Sequence, residues 1–249
     1  MIMEITSRTN PRVKDLASRL EDLFVFEGEK LVMDLVERGE KMQLLLVHER
    51  LRERMRNVRA DEVWITGRGV LDKISRLKDS PDLIAVLPSP EHALDLDKSS
   101  AVLVLDRLQD PANAGTAFRC AAAFGMDGII LTGDAVRPWN PRFVRAAQTA
   151  VLDVPWRIEP GLADLLNRPG IERFNVYMTA ADPHGKTEEL VIDTPCMVVV
   201  GHEGRGIEDR FLEKYPVVSI PQTERVESLN AGVSACILMY EIQRARRES

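Results

Sequence analysis

The chain has 249 residues, 45% of them hydrophobic and 29% charged, which is enough to bury one large core or two ordinary ones. No window approaches the run of roughly 18 apolar residues that spans a bilayer, and the opening MIMEITSRTN lacks the basic-then-apolar layout of a secretory signal. The formal net charge of −6 argues weakly against nucleic acid, because phosphate contacts need Lys and Arg in local patches whatever the total.

In chain order, NPRVKDLASRL predicts a helix with Pro11 near its start. FVFEGEKLVMDLVERGE passes from a short apolar patch into an amphipathic helix that ends near Gly39, a plausible C-cap. MQLLLVH and DEVWIT are strand-like, separated by RLRERMRNVR, with five arginines among ten residues (Arg50 to Arg59). If that stretch is helical, Arg52, Arg56 and Arg59 share one face; its plainer reading is a solvated surface helix paired with nearby acids. GRGVLDKISRL predicts a helix and LIAVL a strand, after which the polar, Pro-containing PSPEHALDLDKSS reads as a linker. The pattern then restarts with strands at AVLVLD, GIILTG, VPWRI, NVYMTA, CMVVVG and VVSIP. Helices are expected at NPRFVRAAQTA, at GLADLLNR and over the closing ESLNAGVSACILMYEIQRARR. Short continuous apolar strands alternating with helices predict α/β architecture with mostly parallel, doubly covered sheets. The expected division is residues 1–92, a linker over 93–98, and 99–249. Cys120, Cys196 and Cys236 lie far apart without a CxxC pair and read as reduced buried thiols of a cytoplasmic protein, not as a disulfide framework or a zinc site.

Ligands of open α/β sheets bind outside the carboxyl ends of the strands, and three such ends here are chemically unusual. They are DPANAGTAFR (from Asp110), GHEGRGI (from Gly201) and PQTERVESLNAG (from Pro221). Each has an ordinary explanation. Asn113 and Gly115 suit a turn, the glycines at 201, 204 and 206 suit a tight loop, and Ser228 suits the N-cap of the last helix. Their coincidence in one half of the chain points to one site. No GxGxxG or GxxxxGK phosphate loop accompanies them.

DPANAGTAFRCAAAFG, VVVGHEGRGI and SIPQTERVESLNAGVSA resemble, in order, spacing and placement, the three motifs of the SpoU-type (TrmH-like) RNA ribose 2′-O-methyltransferases of the SPOUT superfamily. The N-terminal ITSRTNPRVKDLASRL and FVFEGEKLVMDLVERG more loosely resemble the L30e-like substrate-binding domain often fused to them. The resemblance implies a trefoil-knotted C-terminal methyltransferase domain with a smaller N-terminal α/β domain. It further implies S-adenosylmethionine as methyl donor with no metal, an RNA substrate, and a homodimer in the cytoplasm. Carried over by motif, the cofactor contacts would come from Gly201, Ile220 and Leu229, with Thr179 and Glu203. The catalytic set would be Asn113, Arg119, Glu203, Ser228 and Asn230. In this reading the helix after DPANAG is bland because it packs, and Arg119 is left over for RNA. His202 departs from the commoner small or amide residue before the motif glutamate; a histidine there could accept a proton or be a surface-loop substitution. The small residues Ala231, Gly232, Ser234 and Ala235 on the last helix suit either core packing or close approach of a second copy. Arg8, Arg12, Lys14, Arg52, Arg56 and Arg59 are the candidate RNA-facing cations. Ribosomal RNA of the large subunit (23S) is the expected substrate, with transfer RNA or a non-catalytic RNA-binding role as alternatives.

Overall fold

The computed structural model describes residues 1–55, 58–90, 94–181, 192–223 and 225–248. It divides into two compact units, Met1–Glu91 with Pro138–Thr149, and His92–Arg137 with Ala150–Ser249.

In the first unit β1 (Ile2–Ile5) leads to α1 (Pro11–Arg19), β2 (Phe24–Glu27) to α2 (Glu29–Glu37), and β3 (Met42–His48) to β4 (Ala60–Thr66); α3 (Arg68–Ile74) and β5 (Leu83–Leu87) follow. Asn10 caps α1 by accepting from the Arg12 N–H at 2.9 Å, ahead of Pro11 at the first helical position. Gly39, at φ +71°, ends α2 in the left-handed region, as expected. The sheet order is β1-β4-β3-β5-β2. Only β1, β4 and β3 run parallel, while β5 and β2 pair antiparallel, so this sheet is mixed. β1 is not predicted from the sequence: three of its four side chains are exposed or half-buried, and it exists by pairing with β4.

The second unit is built on β6 (Ala101–Asp106), α4 (Pro111–Phe124) and β7 (Gly128–Thr132). The segment between β7 and β8 (Trp156–Glu159) carries α5 (Pro141–Ala147), which clusters with the first unit and packs on β2 there, and α6 (Ala150–Asp153). Trp139 meets Phe24 edge-on, with ring centroids 6.2 Å apart, and Phe143 is fully buried. The expected single helix NPRFVRAAQTA is thus broken at Gln148, φ 55°, and its first part clusters with the first unit.

The remaining elements are α7 (Leu162–Leu166), β9 (Asn175–Thr179), β10 (Cys196–Val200), α8 (Asp209–Leu212), β11 (Val217–Val218) and α9 (Ala231–Glu248). Every pairing in the sheet β11-β9-β10-β6-β7-β8 is parallel. Its central strands are wholly buried, which explains their unbroken apolar runs. Leu94, inside the stretch expected to be a linker, is buried in this unit's core beside Ile130 and Leu162.

The thiol prediction needs correction. Helices α4 and α9 pack side by side, and Cys120 and Cys236 form a disulfide between them with Cα atoms 5.6 Å apart. The 116 residues separating them in sequence hid this proximity. Cys196 is free and buried, and burial pushes its thiol up to about 12.

Gly128 begins β7 where a side chain would have no room: a Cβ there would lie 2.9 Å from the Pro155 carbonyl oxygen. That carbonyl accepts the Ile129 N–H, so it cannot retreat without weakening the strand's edge. Gly128→Ala is expected to cost about 1–3 kcal/mol through overpacking, read as a lower denaturant midpoint at unchanged slope.

Candidate active site

The strand order of the second sheet reverses between β6 and β10, which lie side by side, so the loops after these two strands meet at their carboxyl ends. The DPANAG stretch is not a loop. Asp110 accepts from the Ala112 and Asn113 N–H groups at 2.8 Å each, Pro111 occupies the first turn, and α4 already includes Asn113 and Gly115. Asp110 was not singled out from the sequence, although an acid followed by proline is a helix-start signal.

Glu203 joins the two strand ends. Its carboxylate accepts from the Asp110 N–H (3.0 Å), the Gln109 N–H (3.4 Å) and the Asn113 side-chain amide (3.3 Å). The Asn113 side-chain oxygen Oδ1 accepts from the Asn230 side-chain amide at 2.9 Å. Asn230 in turn accepts the Val233 N–H at 3.1 Å. Asn230 therefore caps α9, the role foreseen for Ser228, and Ser228 lies exposed ahead of the helix. Three strand ends are linked through one carboxylate and two amides.

Burial works to raise the Glu203 carboxyl; hydrogen bonds from its own backbone N–H, from Asp110, from Asn113 and from Gln109 outweigh it and hold the group below the usual 4.5. At neutral pH it is a carboxylate that only accepts.

Beside this chain opens a cavity of about 470 Å³, lined by Thr179, Gly201, Glu203, Ile220, Ser228, Leu229 and Asn230 among others. All five residues expected to contact a cofactor line it. Its size falls in the range of small-molecule sites, roughly 300–1,000 Å³. Among the described residues no Lys or Arg lines it, and Glu203 brings a negative charge, so the described lining suits a ligand with a cationic centre and no phosphate. Gly201 is required here: a Cβ would lie 2.6 Å from the Gly206 carbonyl carbon. His202 also lines the cavity. Its Nδ1 accepts the Gly204 N–H at 2.9 Å, so the ring serves to close the loop.

Arg119 is not brought to this cavity. It sits on the exposed face of α4, about 9 Å along the helix axis from Asn113, and makes no hydrogen bond or ion pair among the described residues. The opposite face, Ala114, Ala117, Phe118 and Ala121, is buried. On α9, Gly232 and Ala235 face inward, and a Cβ on Gly232 would lie 3.0 Å from the Asn113 Cα. These small residues serve contact with α4 of the same chain. Val233 and Tyr240 face outward, 48% and 50% exposed.

The arginine-rich stretch is a short 3-10 segment over Glu49–Met55, not a regular helix. It follows the carboxyl end of β3, whereas Arg59 precedes the amino end of β4, which runs parallel to β3. The expected common face therefore does not form. Arg52 pairs with Glu4 at 2.6 Å, and Arg59 donates to the Gly39 carbonyl; Arg56 lies outside the described residues. Arg12 pairs with Glu62 at 3.1 Å, while Arg8 and Lys14 are exposed on the same N-terminal stretch.

Residues 100–240 match the model of the SpoU rRNA Methylase family. The chain shares 28% identity with the Bacillus subtilis 23S rRNA (guanosine(2553)-2′-O)-methyltransferase RlmP, over 96% of this chain and 99% of that one. It is 36% identical to an uncharacterized tRNA/rRNA methyltransferase of Synechocystis, over 57% of this chain and 52% of that protein's length. The AdoMet-bound rRNA methyltransferase from Sinorhizobium meliloti superposes with a TM-score of 0.78 at 27% identity, covering 99% of this chain and 98% of its own. The chain belongs to the SpoU rRNA Methylase family, with the SPOUT fold. It is an RNA methyltransferase whose methyl donor is S-adenosylmethionine.

Glu203→Gln would set an amide NH₂ against backbone donors, at an expected cost of about 1–3 kcal/mol near neutral pH. Because the folded carboxyl lies below its unfolded value, its contribution is complete above about pH 4.5 and is lost as pH falls through the folded value. Denaturant melts of both proteins from pH 7 to pH 3 should show the gap between them closing only below about 4.5.

Proposed function

We propose that the protein methylates a ribose 2′-oxygen of large-subunit (23S) ribosomal RNA. The observation that carries the reading is the Glu203–Asn113–Asn230 chain at the edge of a cavity with no Lys or Arg among its described lining residues. The B. subtilis relative, matched over nearly both full lengths, supports the ribosomal substrate. S-adenosylmethionine, when bound, supplies an activated methyl group on a cationic sulfonium. Gly201, Ile220 and Leu229 hold it largely through backbone groups, with Thr179 and Glu203 beside them. Glu203 fixes Asn113, and Asn113 with Asn230 orients the target ribose near Ser228. The close fit of these loops supports the trefoil knot of the family, with the chain after β10 threaded to bring Asn230 back to Asn113.

The ribose hydroxyl is a poor nucleophile and must lose its proton as the new bond forms. Arg119 takes an electrostatic part, because a guanidinium offers donors only. It grips an RNA phosphate as a planar fork and stabilises the developing alkoxide. Its distance from Asn113 along α4 favours action in the cavity of a second copy. The outward residues Thr116, Ala122 and Ala123 of α4, with Val233 and Tyr240 of α9, form the face on which that copy sits. The enzyme is then a cytoplasmic homodimer with composite sites. Among the described residues no helix is long and apolar enough to cross a membrane.

The domains follow residues 1–92 and 99–249, the first an L30e-like RNA-binding module that borrows α5. Removing residues 1–92 would strand Trp139 and Phe143 without the sheet they pack on, so substitutions test this module better than truncation. Arg8 and Lys14 are its leading phosphate contacts; Arg12, Arg52 and Arg59 follow, since each is already engaged, and Arg56 stands with them by sequence alone.

Mapping 2′-O-methyl groups in RNA from cells with and without the gene tests the substrate. Loss of one 23S ribose methylation is expected, and loss confined to transfer RNA would overturn the ribosomal assignment. Arg119→Ala should leave donor affinity within about twofold while slowing methyl transfer by roughly a hundredfold, the scale of one charge-stabilising donor. Arg119→Lys should restore little, because a point charge does not replace a fork. Near-full activity of the lysine variant in a tritium-transfer assay would refute the bidentate role.

Replacing Arg8, Arg12 and Lys14 together with glutamine should leave donor binding intact and flatten the salt dependence of RNA affinity. The log–log slope is expected to fall by roughly 0.7–0.9 for each phosphate that is no longer neutralised. Filter binding across a salt series measures it, and an unchanged slope would remove this stretch from the RNA surface.

A further inference from the structure

Arg107, the first residue after β6, has φ 54°. That left-handed region is uncommon for residues other than glycine and is enriched in Asn and Asp. A residue held there against its preference points to surroundings that fix it for a purpose. Its N–H donates to the Thr132 carbonyl at 3.1 Å. Its side-chain stem crosses Gly133, where a Cβ would lie 2.9 Å from the Arg107 Cγ.

The guanidinium reaches three partners. Nε donates to Asp106 Oδ2 at 3.0 Å, Nη2 donates to the Gly206 carbonyl at 3.3 Å, and Nη1 lies 3.6 Å from a Glu208 carboxylate oxygen. Asp106 is only 2% exposed, and its other oxygen accepts the buried Thr132 hydroxyl at 2.6 Å. A locked carboxylate thus aims the fork at the loop that follows β10. In that loop Gly206 lines the cavity, donates its N–H to the His202 carbonyl at 2.8 Å, and presses against Gly201. Arg107 itself does not line the cavity.

We propose that Arg107 is a positioning residue for the methyl-donor site. Anchored on Asp106, it straps the Gly206 carbonyl and Glu208 and so sets the wall of the cavity formed by residues 201–207. Arginine suits the task because its planar fork offers donors in several directions; a lysine ammonium is a compact point charge. The proposal rests on the reading of this cavity as the S-adenosylmethionine site.

Arg107→Gly separates strap from turn, because glycine keeps the backbone conformation at no cost and removes only the side chain. Calorimetric titration with S-adenosylmethionine, thermal melting and steady-state methyl transfer are measured for wild type, Arg107→Gly and Arg107→Lys. The glycine variant is expected to fold but melt below wild type, because the buried Asp106 loses its charge partner, and to bind the donor about tenfold more weakly, the scale of one charge-assisted hydrogen bond. Its KM for the donor should rise while kcat at saturation changes less than twofold, and the lysine variant should recover part of the affinity. If the glycine variant does not fold, Arg107→Asn carries the same comparison, since asparagine also tolerates this conformation. Unchanged donor affinity in a folded Gly or Asn variant overturns the strap. Failure of the wild type itself to bind the donor would instead overturn the assignment of the cavity.

Discussion

One carboxylate holds the arrangement together. Glu203 stands after β10, yet its hydrogen bonds go to the backbone that opens α4 and to Asn113 within it. Two backbone N–H groups at the head of a helix would otherwise need water or a ligand, and the carboxylate supplies both. Once that link is made, Asn113 is oriented, Asn230 has a partner, and the start of α9 is placed by its cap. The cavity is what remains between these fixed ends. An all-parallel sheet with wholly buried central strands contributes the rigid frame, because those strands leave the chain no freedom except at their tips.

Much of this was legible in the sequence where the signal was local and repeated. β3 and β10 show as unbroken apolar runs because both faces of each strand are buried. The three motif segments were visible as glycine and amide clusters; the second and third line one cavity, and the first joins them through the hydrogen bonds of Asn113 with Glu203 and Asn230. What escaped depended on distant partners. β1 is four residues long and is a strand only because β4 lies beside it. The helical nature of DPANAG was masked by residues that also favour turns. Arg107 looks like any surface arginine until its backbone angle and the buried Asp106 are known. The disulfide joins helices whose adjacency no spacing rule announces.

The charges tell a related story. An acidic chain can still carry a basic surface, but counting arginines overstates it. Around the 3-10 turn after β3, Arg52 and Arg54 are each bound to a glutamate, and Arg50 and Arg68 both reach the buried Asp82. The exposed pairs to Glu4 and Glu29 add little stability. They do neutralise cations that would otherwise be free for phosphate. Arg119 lacks such a partner among the described residues, which sets it apart from these arginines although its residue type is the same.

The excursion of α5 has a consequence for how the protein is made. The first unit comprises Met1–Glu91 and Pro138–Thr149, with part of the second unit between them in the chain. Synthesis runs from the N-terminus, so β2 and its neighbours emerge long before the helix that covers them. Until residue 149 of 249 has been made, the stretch that packs on Phe24 is incomplete. The first unit thus cannot finish when its own strands are made, and its sheet, complete at Leu87, waits for α5 until Thr149 has been added.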